Sequence, residues 1–93
     1  MKWLEFSDTI EKNREYHERY HKAVNNLVRK KILKLLKEGK NYDEIMMALK
    51  LNENNFEYHL KILEWGFCIE RDKEDRKKII LTKEGEIVDY LGD

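Results

Sequence analysis

The segment 53–82 restricts the fold more than any other stretch of this chain. Phe56, Leu60 and Leu63 recur at spacings of four and three, and the run stops at Gly66. That is the period of one face of a helix. Two short β-compatible runs follow, Phe67-Cys68-Ile69-Glu70-Arg71 and Lys78-Ile79-Ile80-Leu81-Thr82, with the branched and aromatic side chains that suit a pleated surface. Between them Asp72 to Lys77 is wholly charged, as an exposed hairpin tip would be. A helix thus feeds almost directly into a small antiparallel ribbon. Neither can bury its apolar side alone, so the upstream residues must supply the rest of a core.

The upstream pattern is helical. Leu27, Val28, Ile32, Leu35 and Leu36 form a stripe ending at Gly39, where a helix stop is expected. Asn41 or Asp43 starts a short helix with Ile45, Ala48 and Leu49 inward, and the turn Leu51-Asn52-Glu53-Asn54 contains no glycine. The third helix of this group runs over about 53–65. Asn25-Asn26 is the expected break before residue 27, because Asn competes with helix hydrogen bonds and caps a following helix well. Ahead of it, Ser7-Asp8 with Glu11 suggests a capped N-terminal helix carrying Ile10, Tyr16, Tyr20 and Val24 on one side. Thr82 or Lys83 begins a last helix with Ile87, Val88 and Leu91 apolar. The expected fold is therefore mainly α with a small β-hairpin wing (α+β). It is a winged helix-turn-helix over 25–93 with an added N-terminal helix over 1–24. Such a build commonly places one helix in the DNA major groove.

At 93 residues the chain is one domain, near the lower end for a self-sufficient core. Charged residues make up 41%, well above the usual quarter. High Lys and Glu with no Gln resembles the composition reported for proteins of hot organisms, and an ion-paired surface in an ordinary organism would look similar. The single Cys, and the lack of any apolar run of membrane-spanning length, lead us to expect a cytoplasmic protein. Net charge is zero, yet the charges are segregated. Residues 29–40 hold Arg29, Lys30, Lys31, Lys34, Lys37 and Lys40 against Glu38, whereas 41–66 hold Asp43, Glu44, Glu53, Glu57 and Glu64 against Lys50 and Lys61. The surface expected to read DNA is slightly acidic, with the basic charge beside it.

Three motifs carry a family resemblance. Ala23-Val24-Asn25-Asn26-Leu27-Val28-Arg29-Lys30-Lys31-Ile32-Leu33 resembles the entry of arsenic-repressor-like (ArsR-type) winged-helix regulators. Tyr58-His59-Leu60-Lys61-Ile62-Leu63-Glu64-Trp65-Gly66-Phe67 looks like the exit of their recognition helix. Leu81-Thr82-Lys83-Glu84-Gly85 resembles the Leu-Thr-x-x-Gly that closes the wing. Leu27 and Glu57 stand where the family commonly has Pro and a DNA-contacting Ser. No Cys-x-Cys pair lies near Tyr42-Asp43-Glu44, so thiolate metal sensing is not expected. The resemblance implies a DNA-binding transcription regulator, dimeric through its terminal helices. The sequence supports no Ser/His/Asp set, glycine-rich phosphate loop or paired-carboxylate pocket, so neither enzymatic activity nor a cofactor is expected.

On that reading Asn54, Asn55, Tyr58 and Lys61 face the groove, where Asn can pair bidentately with adenine. Arg71, Lys73, Arg76, Lys77 and Lys78 on the wing can grip phosphates. His59 has two open readings, a phosphate contact or a packing role. Lys30, Lys34 and Lys37 read as a solvated face. His17-Glu18-Arg19-Tyr20-His21 fits the His-Glu-x-x-His of zinc peptidases, but three fixed residues with no third ligand are better read as exposed or dimer-facing histidines, with incidental metal capture by His17 and His21 as the lesser possibility. Cys68 reads as a small semi-buried side chain. Trp3, Leu4, Phe6, Ile10, Tyr16 and Tyr20 exceed what the core needs and point to a homodimer contact, or else to a segment folded back on its own domain. The alternative function is a winged-helix protein-interaction module that does not read DNA sequence.

Overall fold

The computed structural model describes residues 10–86, with side chains from Arg14 onward. The expected Ser7-Asp8-Glu11 cap, Trp3, Leu4, Phe6, the Ile10 side chain, and Ile87, Val88 and Leu91 lie outside that description. The elements are α1 (Ile10–Val24), α2 (Leu27–Lys37), α3 (Tyr42–Ala48), α4 (Glu53–Trp65), β1 (Ile69–Arg71) and β2 (Ile79–Leu81). The strands pair antiparallel, with Ile69 opposite Leu81 and Arg71 opposite Ile79. The molecule is thus mainly helical with one small hairpin. α1 and α2 are separate helices, divided where the Asn pair predicted.

Asparagine starts three of these helices. Asn26, Asn41 and Asn52 each sit in extended backbone and accept the N–H of the third residue on, satisfying one of the orphan donors of a first turn. At Asn41 the Glu44 carboxylate returns the bond, giving a full capping box. The helix ends are equally regular. After α2, Gly39 (φ 91°) donates to the Leu36 carbonyl and Lys40 to that of Leu35, the Schellman pairing that a left-handed residue makes possible. Lys50 (φ 55°) and Phe67 (φ 69°) repeat it after α3 and α4 without glycine. Gly66 is therefore not the left-handed residue of its turn. A Cβ at Gly66 would lie 2.3 Å from the Ala23 Cβ and 2.9 Å from the Arg19 carbonyl, so its glycine permits α1 and α4 to touch.

The core combines Tyr20 and Ala23 of α1, Ile32 and Leu33 of α2, and Tyr42 and Ile45 of α3. Phe56, Leu60 and Leu63 of α4 pack with them, as do Cys68 and Ile69 at the hairpin's start. The α4 stripe is as the sequence predicted. On α2 the buried face is rotated: Leu33 is fully buried while Leu27 is 68% exposed. On α3 Ala48, expected inward, is exposed, and Tyr42, not in the expected inward set, is buried. Tyr20 donates to the Glu84 carbonyl at 3.2 Å, and Tyr16 stacks on Phe67 with centroids 4.6 Å apart. Two of the aromatics expected at a dimer contact are thus covered within the chain itself.

Thr82 closes the hairpin. Its hydroxyl lies 2.7 and 2.8 Å from the Phe67 and Cys68 carbonyls, donating to one at a time, and it accepts from the Gly85 N–H at 3.1 Å. Residues 83–86 then turn helical. A Cβ on Gly85 would fall 2.2 Å from the Cys68 carbonyl oxygen, which accounts for glycine at the end of Leu-Thr-x-x-Gly.

Candidate nucleic-acid interface

Because Phe56, Leu60 and Leu63 point into the core, the opposite side of α4 must face out. Asn54, Asn55, Tyr58 and Lys61 are all exposed, Tyr58 by 59%. Asn54, Tyr58, Lys61 and Trp65 follow one another at spacings of four, three and four, so they share one stripe. Trp65 was not among the residues singled out from the sequence, yet it remains 42% exposed. Arg19 of α1 sits against that end of α4. Its guanidinium lies 5.0 Å from the Trp65 ring and 4.5 Å from the Phe67 ring, and its Nε donates to the Trp65 carbonyl at 3.0 Å.

The hairpin lies along one flank of α4. Arg71, expected on the exposed wing, is instead buried with no side-chain surface in solvent. Its two terminal nitrogens meet the Glu57 carboxylate at 2.8 and 2.9 Å, and its Nε donates to the Arg76 carbonyl at 2.8 Å. Tyr42 donates to the same carboxylate at 2.7 Å. With four of its five guanidinium N–H groups engaged and no side-chain surface in solvent, Arg71 leaves the candidate DNA-contact set. The alternation of a three-residue strand explains the placement: Ile69 and Arg71 share the inward face and Glu70 points out. Hydrogen bonds from Arg71 and Tyr42 hold the Glu57 carboxyl down at about 2, against the opposing effect of burial. Burial first, then the bond to Glu57, pushes the Tyr42 phenol well above its ordinary range.

Two further ion pairs tie the tip to the helices. Arg76 reaches Glu64 at 3.4 Å, and Lys77 reaches Asp43 at 3.7 Å while lying 5.5 Å from the Tyr42 ring. Of the five carboxylates in 41–66, three are therefore matched by hairpin cations and Glu44 is used in the α3 cap. The acidity seen in the sequence is largely met inside the fold. Lys73 and Lys78 are exposed and make no ion pair among the described residues. The tip's own acids shape its turn: Asp72 accepts from the Glu74 and Asp75 N–H groups, and Asp75 from that of Lys77.

On the other flank, His59 meets Arg29. The Arg29 Nη1 is 3.1 Å from His59 Nδ1, its Nε donates to the Ala23 carbonyl at 2.6 Å, and its Nη2 donates to that of Lys22 at 3.3 Å. A guanidinium has no acceptor, so Nδ1 must accept and the ring proton resides on Nε2. Burial, and then the Arg29 charge, lower the His59 pKa from 6.5. His59 thus has a packing role, joining α4 to α2 and, through Arg29, to the last carbonyls of α1. These contacts explain why Arg29, a charged residue in a basic run, is buried.

His17 and His21 are exposed on α1 with ring centroids 6.4 Å apart. Among the described residues, no cluster of three or more His, Cys, Asp or Glu could hold a metal ion. Cys68 is fully buried, and desolvation pushes its thiol up to about 12. No described helix is long and apolar enough to cross a membrane. No protein-family model matches the chain, and no curated protein matches it.

Proposed function

We propose that the chain is a winged helix-turn-helix of the arsenic-repressor type that binds duplex DNA as a homodimer and regulates transcription. The observation that carries this reading is the outward face of α4. Asn54, Asn55, Tyr58 and Lys61 are exposed on a helix two of whose three carboxylates, Glu57 and Glu64, are matched by the hairpin beside it, while Glu53 stays exposed. In this reading α3 and α4 form the helix-turn-helix, α4 enters the major groove, and the hairpin tip reaches a flanking phosphate through Lys73 and Lys78. Two copies provide the contacts that one short helix lacks.

A salt titration of binding to duplex DNA tests the proposal. A regulator loses affinity steeply, with a logarithmic slope of roughly −0.9 for each phosphate neutralised, and sedimentation gives the mass of a dimer. Tyr58 and Trp65 favour a second reading. Exposed aromatics are the usual anchors of protein–protein contacts, and an interaction module would bind DNA weakly and at low salt only.

A further inference from the structure

The three ion pairs between hairpin and helices differ in one respect. Arg71 is sealed against Glu57, with no side-chain exposure on the arginine. The other two pairs lie in solvent: Arg76 and Glu64 keep 49% and 37% of their side-chain surface, Lys77 and Asp43 59% and 67%. Exposed pairs of this kind contribute little to folding stability, so their carboxylates can be altered without unfolding the protein. Yet both hold cations of the hairpin tip, the part of the fold best placed to meet a phosphate backbone. Arg71 also anchors the Arg76 carbonyl, so the tip stays in place whichever partner the Arg76 side chain takes.

We propose that Asp43 and Glu64 are specificity residues, holding Lys77 and Arg76 in intramolecular pairs so that phosphate attraction alone binds DNA poorly. This inference rests on the duplex-binding reading above. A sequence-independent contact must first take Arg76 and Lys77 from carboxylates that hold them, or leave those carboxylates facing the DNA. Base contacts from α4 must then supply most of the affinity. Discrimination is raised by weakening the wrong complex as well as by strengthening the right one.

The test is a mutant cycle with the full chain and a short random-sequence duplex, read by fluorescence anisotropy across salt concentrations. Asp43→Asn with Glu64→Gln frees two cations. It should tighten random-duplex binding by about tenfold at low salt, and steepen the salt slope by up to about two phosphates' worth. The melting temperature should hardly change. Adding Arg76→Ala and Lys77→Ala to that variant should abolish the gain, whereas the same two alanines in the wild type should cost far less. Glu53→Gln is the control, because Glu53 is an exposed α4 carboxylate with no ion pair among the described residues. A gain no larger than that of Glu53→Gln, or one that survives the loss of Arg76 and Lys77, overturns the proposal. Duplex binding without that coupling removes this inference alone. No duplex binding by any variant removes it together with the DNA-binding reading.

Discussion

Replacing Glu57 by Gln probes the joint on which the hairpin's position depends. The substitution preserves shape but removes the charge facing a guanidinium that has no solvent access. Breaking a buried pair in this way costs roughly 3–5 kcal/mol. Glu57 itself is 32% exposed, and water can partly solvate Arg71 from that side, so about 2–3 kcal/mol is the better figure. The titration of Glu57 gives a similar bound. A carboxyl lowered from 4.5 to about 2 corresponds to no more than roughly 3 kcal/mol, less after the same allowance for solvent. Because the folded-state value is depressed, this stabilisation is present above pH 4.5 and is lost as the pH falls toward 2. For a chain of this size the melting temperature should drop by about 10–20 °C at neutral pH. The acid limb of the stability–pH curve should flatten in the variant. Calorimetry or circular-dichroism melts from pH 2 to 7 measure both. A Glu57→Gln protein that melts within about 2 °C of wild type and keeps the same acid limb would refute the reasoning.

Three other outcomes follow from named contacts. Gly66→Ala places a methyl 2.3 Å from the Ala23 Cβ and should destabilise by about 1–3 kcal/mol or more as α1 is pushed from α4; a thermal melt checks it. Cys68, buried with its thiol pushed up to about 12, should resist alkylation at pH 8 in the native state and react only on unfolding, and Cys68→Ser should leave DNA binding insensitive to oxidant; native labelling followed by mass spectrometry decides it. His59 should titrate below 6.5 by NMR, with the neutral ring protonated at Nε2. As a base with a lowered folded-state value, it contributes stability that is complete above pH 6.5 and is lost as the pH falls through the folded value.

The parts of this fold legible in the sequence were those fixed by local chemistry. An Asn before α2 and α3, the glycine after α2, the Phe56-Leu60-Leu63 period and a charged hexamer between two β-runs each act within a few residues, and each lies where expected. The rest depended on partners distant in sequence. Leu33 rather than Leu27 enters the core because α2 is oriented by α1, α3, α4 and β2 together, which no periodicity within α2 specifies. Arg29 and Arg71 read as solvent-facing cations, yet both are buried because their partners, His59 and Glu57, lie 30 and 14 residues away. Glu57 reads as part of an acidic surface, yet Arg71, 14 residues away, matches its charge. Trp65 extends the exposed face of α4, although Asn54, Asn55, Tyr58 and Lys61 already form a complete polar face in the sequence. Gly66 was recognised as a helix stop, but its reason, the approach of α1, lay outside its own segment.

In the proposed function α4 reads base sequence through Asn54, Asn55, Tyr58 and Lys61. Selection of duplexes from a randomised pool, by wild type and by Asn55→Ala/Tyr58→Ala in parallel, tests it most directly. Both side chains are exposed, so the double variant should melt with the wild type, within about 0.5 kcal/mol per site. The wild type should enrich one two-fold-related sequence that the variant fails to enrich. Enrichment of the same sequence by the folded variant, or of none by the wild type, would contradict the account.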